Sequence, residues 1–498
     1  MNAALMNLPF LRVAAMSAFL LSLPLLAQGA PAAKAKETPR KSVVALVAPF
    51  AIDAEDGPWS GFAVAEVITD LFAQENVGGF LTSKQLDGAL RRKDLKLSDA
   101  SDPEIALPLA KTMGATDLIL GAVHRTGGKL QLEAKRYSVV SREFTRQETV
   151  SGGPDDLPTL AAQLAQKLLD VNAKTRPMSS NVKALEQAAN CWFDLVRYPL
   201  QPRVGNTPAL ETAAADEASC KAALLADGQL TWAHAGSAIL KSLKGDTTGA
   251  RAEIKSARSK GRFEAWLAIA DYFAARRAHD ANGARASLEG ALKERPGFFM
   301  AAGYLAEERM EAEDYKGAAA AWDRVLKIAP RHPFALGQKG KAFGLMHKDI
   351  DALALTRQAL DVDPGDPELM VELASRQIDA RQNQEAEATL RQVMQAKPPR
   401  PRAWLRLGYL YMRENRMQDA HDTLTEALTY AYRDDEARTR GIAFGDLAQV
   451  AGAQGNYPEA IQYLQQAKSE GTSTLPCDAP ELRAFRGRPE FNAICPAK

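Results

Sequence analysis

The chain has 498 residues, with 62 basic against 61 acidic side chains and 46% hydrophobic residues. A balance this even argues against a nucleic-acid partner, which needs a basic surplus to neutralise phosphates. The length exceeds what one hydrophobic core supports, so two or three domains are expected.

At the amino terminus Arg12 precedes the apolar run Val13 to Leu26, and Ala27-Gln28-Gly29 then supplies small residues at a cleavage spacing. An export signal over residues 1–29 is expected, cut after Gly29 or Ala27, with a linker over 30–41. A run of fourteen residues is too short to span a bilayer comfortably, and no later segment reads as transmembrane. No cysteine near the cut suits a lipoprotein. The mature chain is expected in the periplasm or outside the cell, and not as an integral membrane protein.

Residues 42–173 read as a small mixed α/β domain. Val43 to Val47 is a buried strand ended by Pro49, Gly61 to Gln74 an amphipathic helix, and Phe80 to Thr82 a short strand. Helices are expected over Lys84 to Arg91 and Pro103 to Met113. Thr116 to Val123 and Lys129 to Tyr137 form a hairpin turned near Gly127-Gly128, with Glu143 to Val150 as a third strand. A helix from Leu157 to Val171 closes the domain, and 174–181 is a linker. The segments Val44-Ala45-Leu46-Val47-Ala48-Pro49-Phe50 and Gly114 to Gly121 resemble the TolB amino-terminal-like domain of bacterial envelope proteins. That resemblance implies an interaction or sensing role and names no ligand.

Residues 182–230 are expected to form a degenerate helical hairpin, Val182 to Arg197 and then Leu210 to Leu225. It carries Cys191 and Cys220; the other two cysteines are Cys477 and Cys495. Three pairings are possible. The sequential one, Cys191 with Cys220 and Cys477 with Cys495, is the expectation against four reduced thiols, and it suits an oxidising compartment. The second bridge would pin the tail, expected as a helix over 473–498, onto the end of the chain's helices. The six histidines show no metal-ligand spacing.

From 231 to 472 the chain repeats. Ala284, Ala318, Ala352, Ala386 and Ala420 stand thirty-four residues apart, and Pro296, Pro330, Pro364 and Pro398 keep the same step. Ala250 lies one step earlier and Ala460 one longer step later, which makes seven phased units. The longer step implies an extended helix or turn near Tyr430 to Ala437. In the clearest unit Trp404, Leu407, Gly408 and Tyr411 share one helix face, while Ala420, Leu424 and Ala427 share the face of a second. Gly408 and Ala420 are small where the two helices cross. These residues resemble the tetratricopeptide repeat, which implies an all-α solenoid after the α/β domain. Tyr272 replaces the small residue in the unit at 284.

In such an array the first helices line a groove. Its candidate residues are Met300, Glu307, Met310, Phe334, Lys341, Glu368, Arg402, Arg406, Tyr409, Met412 and Arg413. Leu405, Val371 and Ile378 serve either the groove or the packing between units. The groove mixes apolar and charged positions, which suits a peptide. Arg391, Lys397, Arg400, Arg402, Arg406 and Arg413 occur with no acidic residue between 391 and 413, so either a solvated edge or a site for an acidic peptide or anionic polymer is expected.

No phosphate loop, zinc-protease helix or serine-hydrolase elbow occurs. Asp361 and Asp363 begin like a calcium loop, but Gly365 and Asp366 fall in the wrong order, and His124 reads as a surface or core histidine. The sequence therefore predicts a non-enzymatic exported adaptor without cofactor or metal, binding an envelope protein or peptide. The alternative is a subunit that binds an envelope glycan or lipid. Oligomeric state is open.

Overall fold

The computed structural model describes residues 43–53, 57–75, 78–91, 93, 95–172, 174–197, 212–258, 265–395, 400–433, 437–472 and 475–496. The expected export signal and linker, Lys397 and Pro398 lie outside the described residues.

The first part is an α/β domain. Its order is β1 (Val44–Val47), β2 (Ala51–Ile52), α1 (Trp59–Glu75), β3 (Gly79–Leu81), α2 (Ser83–Arg91), α3 (Pro103–Thr112), β4 (Asp117–Thr126), β5 (Lys129–Ser138), β6 (Phe144–Gly152) and α4 (Leu157–Leu169). A 3-10 turn at Leu97–Ser101 and the two-residue β2 are additions to the sequence reading. The sheet runs β3-β1-β4-β5-β6, with β1 parallel to β3 and β4, and β4, β5 and β6 antiparallel. All four residues of β1 are buried, as expected of a central strand covered on both faces.

The second part is a run of helix pairs: α5 (Val182–Arg197) with α6 (Thr212–Ala226), α7 (Thr231–Leu243) with α8 (Thr247–Arg258), α9 (Ala265–Arg277) with α10 (Ala281–Glu294), and α11 (Phe299–Glu311) with α12 (Tyr315–Ile328). It continues through α13 (Pro333–Leu345) with α14 (Asp349–Val362), α15 (Pro367–Asp379) with α16 (Asn383–Met394), α17 (Pro401–Arg413) with α18 (Met417–Arg433), and α19 (Ala437–Ala453) with α20 (Tyr457–Ser469). The seven phased units are thus joined by an eighth hairpin at the start, locked by the Cys191–Cys220 disulfide. At the irregular step both α18 and α19 have 17 residues, against 12 to 14 in the helices α7 to α17.

Repeat chemistry follows the sequence. Gly408 lies so close to Leu424 that an added Cβ would sit 2.6 Å from its Cγ, which is why only a small residue fits that crossing. Turns between paired helices place His279, Glu313, His347, Arg381 and Asn415 at positive φ, and Asp280 and Asp314 cap the following helices through the N–H groups of Gly283 and Gly317. Asp366 is likewise spent on a cap, accepting from the N–H groups of Glu368 and Leu369.

The tail, expected as a helix, is instead a 3-10 turn (Pro480–Phe485) and a six-residue helix α21 (Pro489–Ile494), stapled by Cys477–Cys495. Prolines at the start of each piece break any longer helix. Leu482, Phe485, Phe491 and Ile494 bury against Ala448, Ala451, Ala460, Ile461 and Leu464, covering the face that a next repeat would otherwise cover.

Candidate peptide-binding groove

Residues 232, 266, 300, 334, 368 and 402 stand thirty-four apart, at the same phase of successive first helices, and Ile442 follows after the longer step. They form one row along the inner face of the array. The structure divides that row in two.

The first three positions are filled by the chain's own α/β domain. The ring of Phe62 on α1 lies 6.0 Å from that of Trp232. One turn along α1, Glu66 accepts from Trp266 Nε1 at 3.3 Å and also from the Ser83 hydroxyl. Met300 is buried and takes a contact from Thr82 Oγ1 at 3.7 Å through its sulfur. Burial pushes the Glu66 carboxyl above its ordinary range, against the two donors that favour its charge. Strand β3 completes the contact: Phe80 N–H donates to Gly297 O at 3.2 Å, and its ring stacks on Phe298 at 5.2 Å. Gly79 and Gly114 are pressed against Phe299 and His332. Between α1, β3 and the array remains a cavity of about 30 Å³ lined by Glu66, Asp70, Trp232, Trp266 and Arg295. That is room for one or two waters.

The later positions are open. Phe334 is 48% exposed with its ring edge-on to Trp322, and Ile442 is 42% exposed. Arg402 and Glu368 are paired at 2.8 Å, side chains roughly half exposed. Tyr409 is 39% exposed, and Arg406 is exposed beside it. Lys341 on α13 reaches the same space: its ammonium is held below its ordinary range by burial, with Arg402, Arg406 and Arg438 adding repulsion and Glu372 opposing them. Asp446 on α19 faces this group. Burial pushes its carboxyl up to about 7, and Arg406 pulls the other way.

Other expected groove residues have structural duties. Glu307, Met310 and Met412 are half-buried. The Arg413 guanidinium donates to Ile378 O of the preceding unit at 3.3 Å. Leu405, Val371 and Ile378 are buried, which assigns them to packing between units. The basic run is compensated in space: Arg391 pairs with Glu387 at 2.7 Å, and Arg402 with Glu368. Trp232 and Trp266, which the sequence reading passed over, could have been found by stepping back twice from Met300. Two large aromatics on a face otherwise open to water demand a cover.

Away from the groove, His124 Nδ1 lies 3.1 Å from Asp53 on the surface. Among the described residues, no group of three or more His, Cys, Asp and Glu could hold a metal, and no helix is long and apolar enough to cross a membrane.

Residues 377–440 match the family model of the tetratricopeptide repeat. No curated protein matches the chain significantly. Among solved structures, a tetratricopeptide repeat protein from Parabacteroides merdae is similar at 13% identity, covering 58% of this chain and 100% of its own, with a TM-score of 0.39. PilW, a type IV pilus biogenesis factor, is similar at 22% identity over 43% of this chain and 94% of its own, with a TM-score of 0.34. The C-terminal part of a repeat protein from Cytophaga hutchinsonii is similar at 11% identity over 48% and 95%, with a TM-score of 0.33. Likenesses of this strength say nothing of partner or process. The family match falls on α15 to α19, inside eight stacked hairpins of the same build, so the helical part of the chain is a solenoid of the tetratricopeptide type.

Proposed function

We propose that this protein is a non-enzymatic adaptor of the bacterial cell envelope, exported after removal of residues 1–29, which captures a protein segment in the open half of its groove. The observation that carries the reading is the divided row of first-helix positions. The array already holds one helix, α1, which is buried on almost every side, through Trp232 and Trp266, and the same row continues uncovered through Phe334, Glu368, Arg402 and Ile442. Helix-in-groove and extended-peptide docking both use such a row of spaced anchors. Two disulfides support an oxidising compartment, and the α/β domain, read as TolB-like, supports the envelope.

The open half presents Phe334, Tyr409 and Ile442 as apolar anchors, with Lys341, Arg406 and Arg438 as cations. A segment combining apolar and acidic side chains is the complementary ligand. The test is crosslinking of the tagged mature protein in cells followed by mass spectrometry, comparing wild type with Arg406→Glu, Tyr409→Ala. Both side chains are exposed, so thermal stability is expected to hold. Loss of a specific protein in the variant is the expected result. An unchanged set of crosslinked proteins would remove the groove from the account, and capture of a purified anionic glycan or lipid in place of protein would favour a sensing subunit.

A further inference from the structure

The two edges of the sheet are treated differently. The β3 edge is closed by the array, through the bridge from Phe80 to Phe298. At the other edge lies β6, and among the described residues no strand pairs with its outer side. Unpaired edges offer a row of free N–H and C=O groups to another strand. The side chains of β6 are exposed almost throughout, Val150 being its buried residue. Val140, just before it, is 88% exposed, and Phe144 at its start is 60% exposed with its ring edge-on to Tyr137.

We infer that β6 pairs antiparallel with β6 of a second copy of this chain, about a two-fold axis at Gln147. The charges of the strand select both the occupant and the register. With the axis at Gln147, Arg146 of each copy stands opposite Glu148 of the other, so two opposite-charge pairs flank the centre. Moving the axis one residue to Glu148 would set Glu148 against itself, and like charges directly opposite are destabilising. Moving it to Thr149 would set Arg146 against Gly152 and lose both pairs. A strand whose sequence complements itself about one residue meets the requirement of a closed two-fold interface, in which each patch contacts its own counterpart. Arg146 and Glu148 are held in place for this role. Arg146 bonds to Lys167 O and to Asp170, the residue that follows α4, and Glu148 pairs with Lys167 at 3.3 Å. The bulge between β5 and β6 at Arg136 and Tyr137 ends the regular pairing next to Arg146, so the contact is short and the dimer concentration-dependent. The open grooves are on the solenoids, away from β6 in the fold, so dimerisation would make the adaptor bivalent.

The experiment is sedimentation of the mature full-length protein over a concentration series. Wild type is expected to pass from monomer to dimer. Arg146→Glu alone and Glu148→Arg alone each place like charges opposite one another and should raise the dimer dissociation constant by about tenfold, whereas an equimolar mixture of the two variants restores opposite pairs and should dimerise. A further variant, Gln147→Cys, should form an intermolecular disulfide at the axis while keeping wild-type circular dichroism. A wild type that stays monomeric and a Gln147→Cys that stays uncrosslinked would overturn the inference. So would variants that dimerise no better mixed than alone, the outcome expected if the edge receives a strand from an unrelated protein.

Discussion

Phe80 of β3 stacks on Phe298 of the array with the rings 10° from parallel, and its N–H donates to Gly297 O. A backbone hydrogen bond between the two parts of the chain requires both backbones to come close. Glycine makes that approach possible: a Cβ on Gly297 would sit 1.9 Å from Gly78 O.

Gly297→Ala is therefore expected to destabilise the protein by about 1–3 kcal/mol, the usual range for overpacking, and to loosen the α/β domain before the repeats. Hydrogen exchange checks this. Protection should fall first at Phe80 and along α1, with α17 to α20 unaffected. Uniform loss, or none, would mean that the contact does not hold the two parts together.

His332 links the same parts differently. Its Nδ1 accepts from Ala335 N–H at the start of α13, its ring stands edge-on to Phe299 at 5.6 Å, and Gly114 lies against it. Burial pushes its pKa down to about 4 from 6.5, so the folded protein resists its protonation. A depressed histidine contributes stability that is present above 6.5 and lost as the pH falls towards 4. The loss amounts to as much as about 3 kcal/mol. His332→Asn retains a capping side chain without the titration. Its denaturation free energy should change less than that of wild type between pH 6.5 and 4, and parallel curves would refute the assignment.

The repeat architecture was legible because period and packing are the same fact: the small residues at Gly408 and Ala420 and the prolines between units recur wherever a hairpin crosses and turns. The hairpin α5–α6 was visible as helices and cysteines, though it lacks the period. One expected groove position, Met300, is covered for a physical reason. Met300 has the phase of a groove residue, and phase does not reveal what covers it; that depends on Thr82, which lies 218 positions from it in sequence. The basic run could be read either way from sequence for the same reason, since Glu368 compensates Arg402 from one full repeat away.

The tail is the array's terminal cover, and its disulfide closes a loop with a sequence separation of 18. Replacing Cys477 and Cys495 together by serine should cost about 3 kcal/mol. In a solenoid that loss is local, so α19 and α20 should fray first, read by proteolysis near Gly471 and by a lower first thermal transition. A single unshifted transition would show that the cap packs without its staple.

The central claim is that partners enter the open half of the groove. A photo-crosslinking amino acid placed at Tyr409 tests it directly, with a control at Ile350 on α14, which is 86% exposed and lies outside the row. The account predicts a discrete protein adduct from position 409 in cells and none from position 350. An adduct from 350 with none from 409 would contradict it and move the binding surface to the outer face of the array.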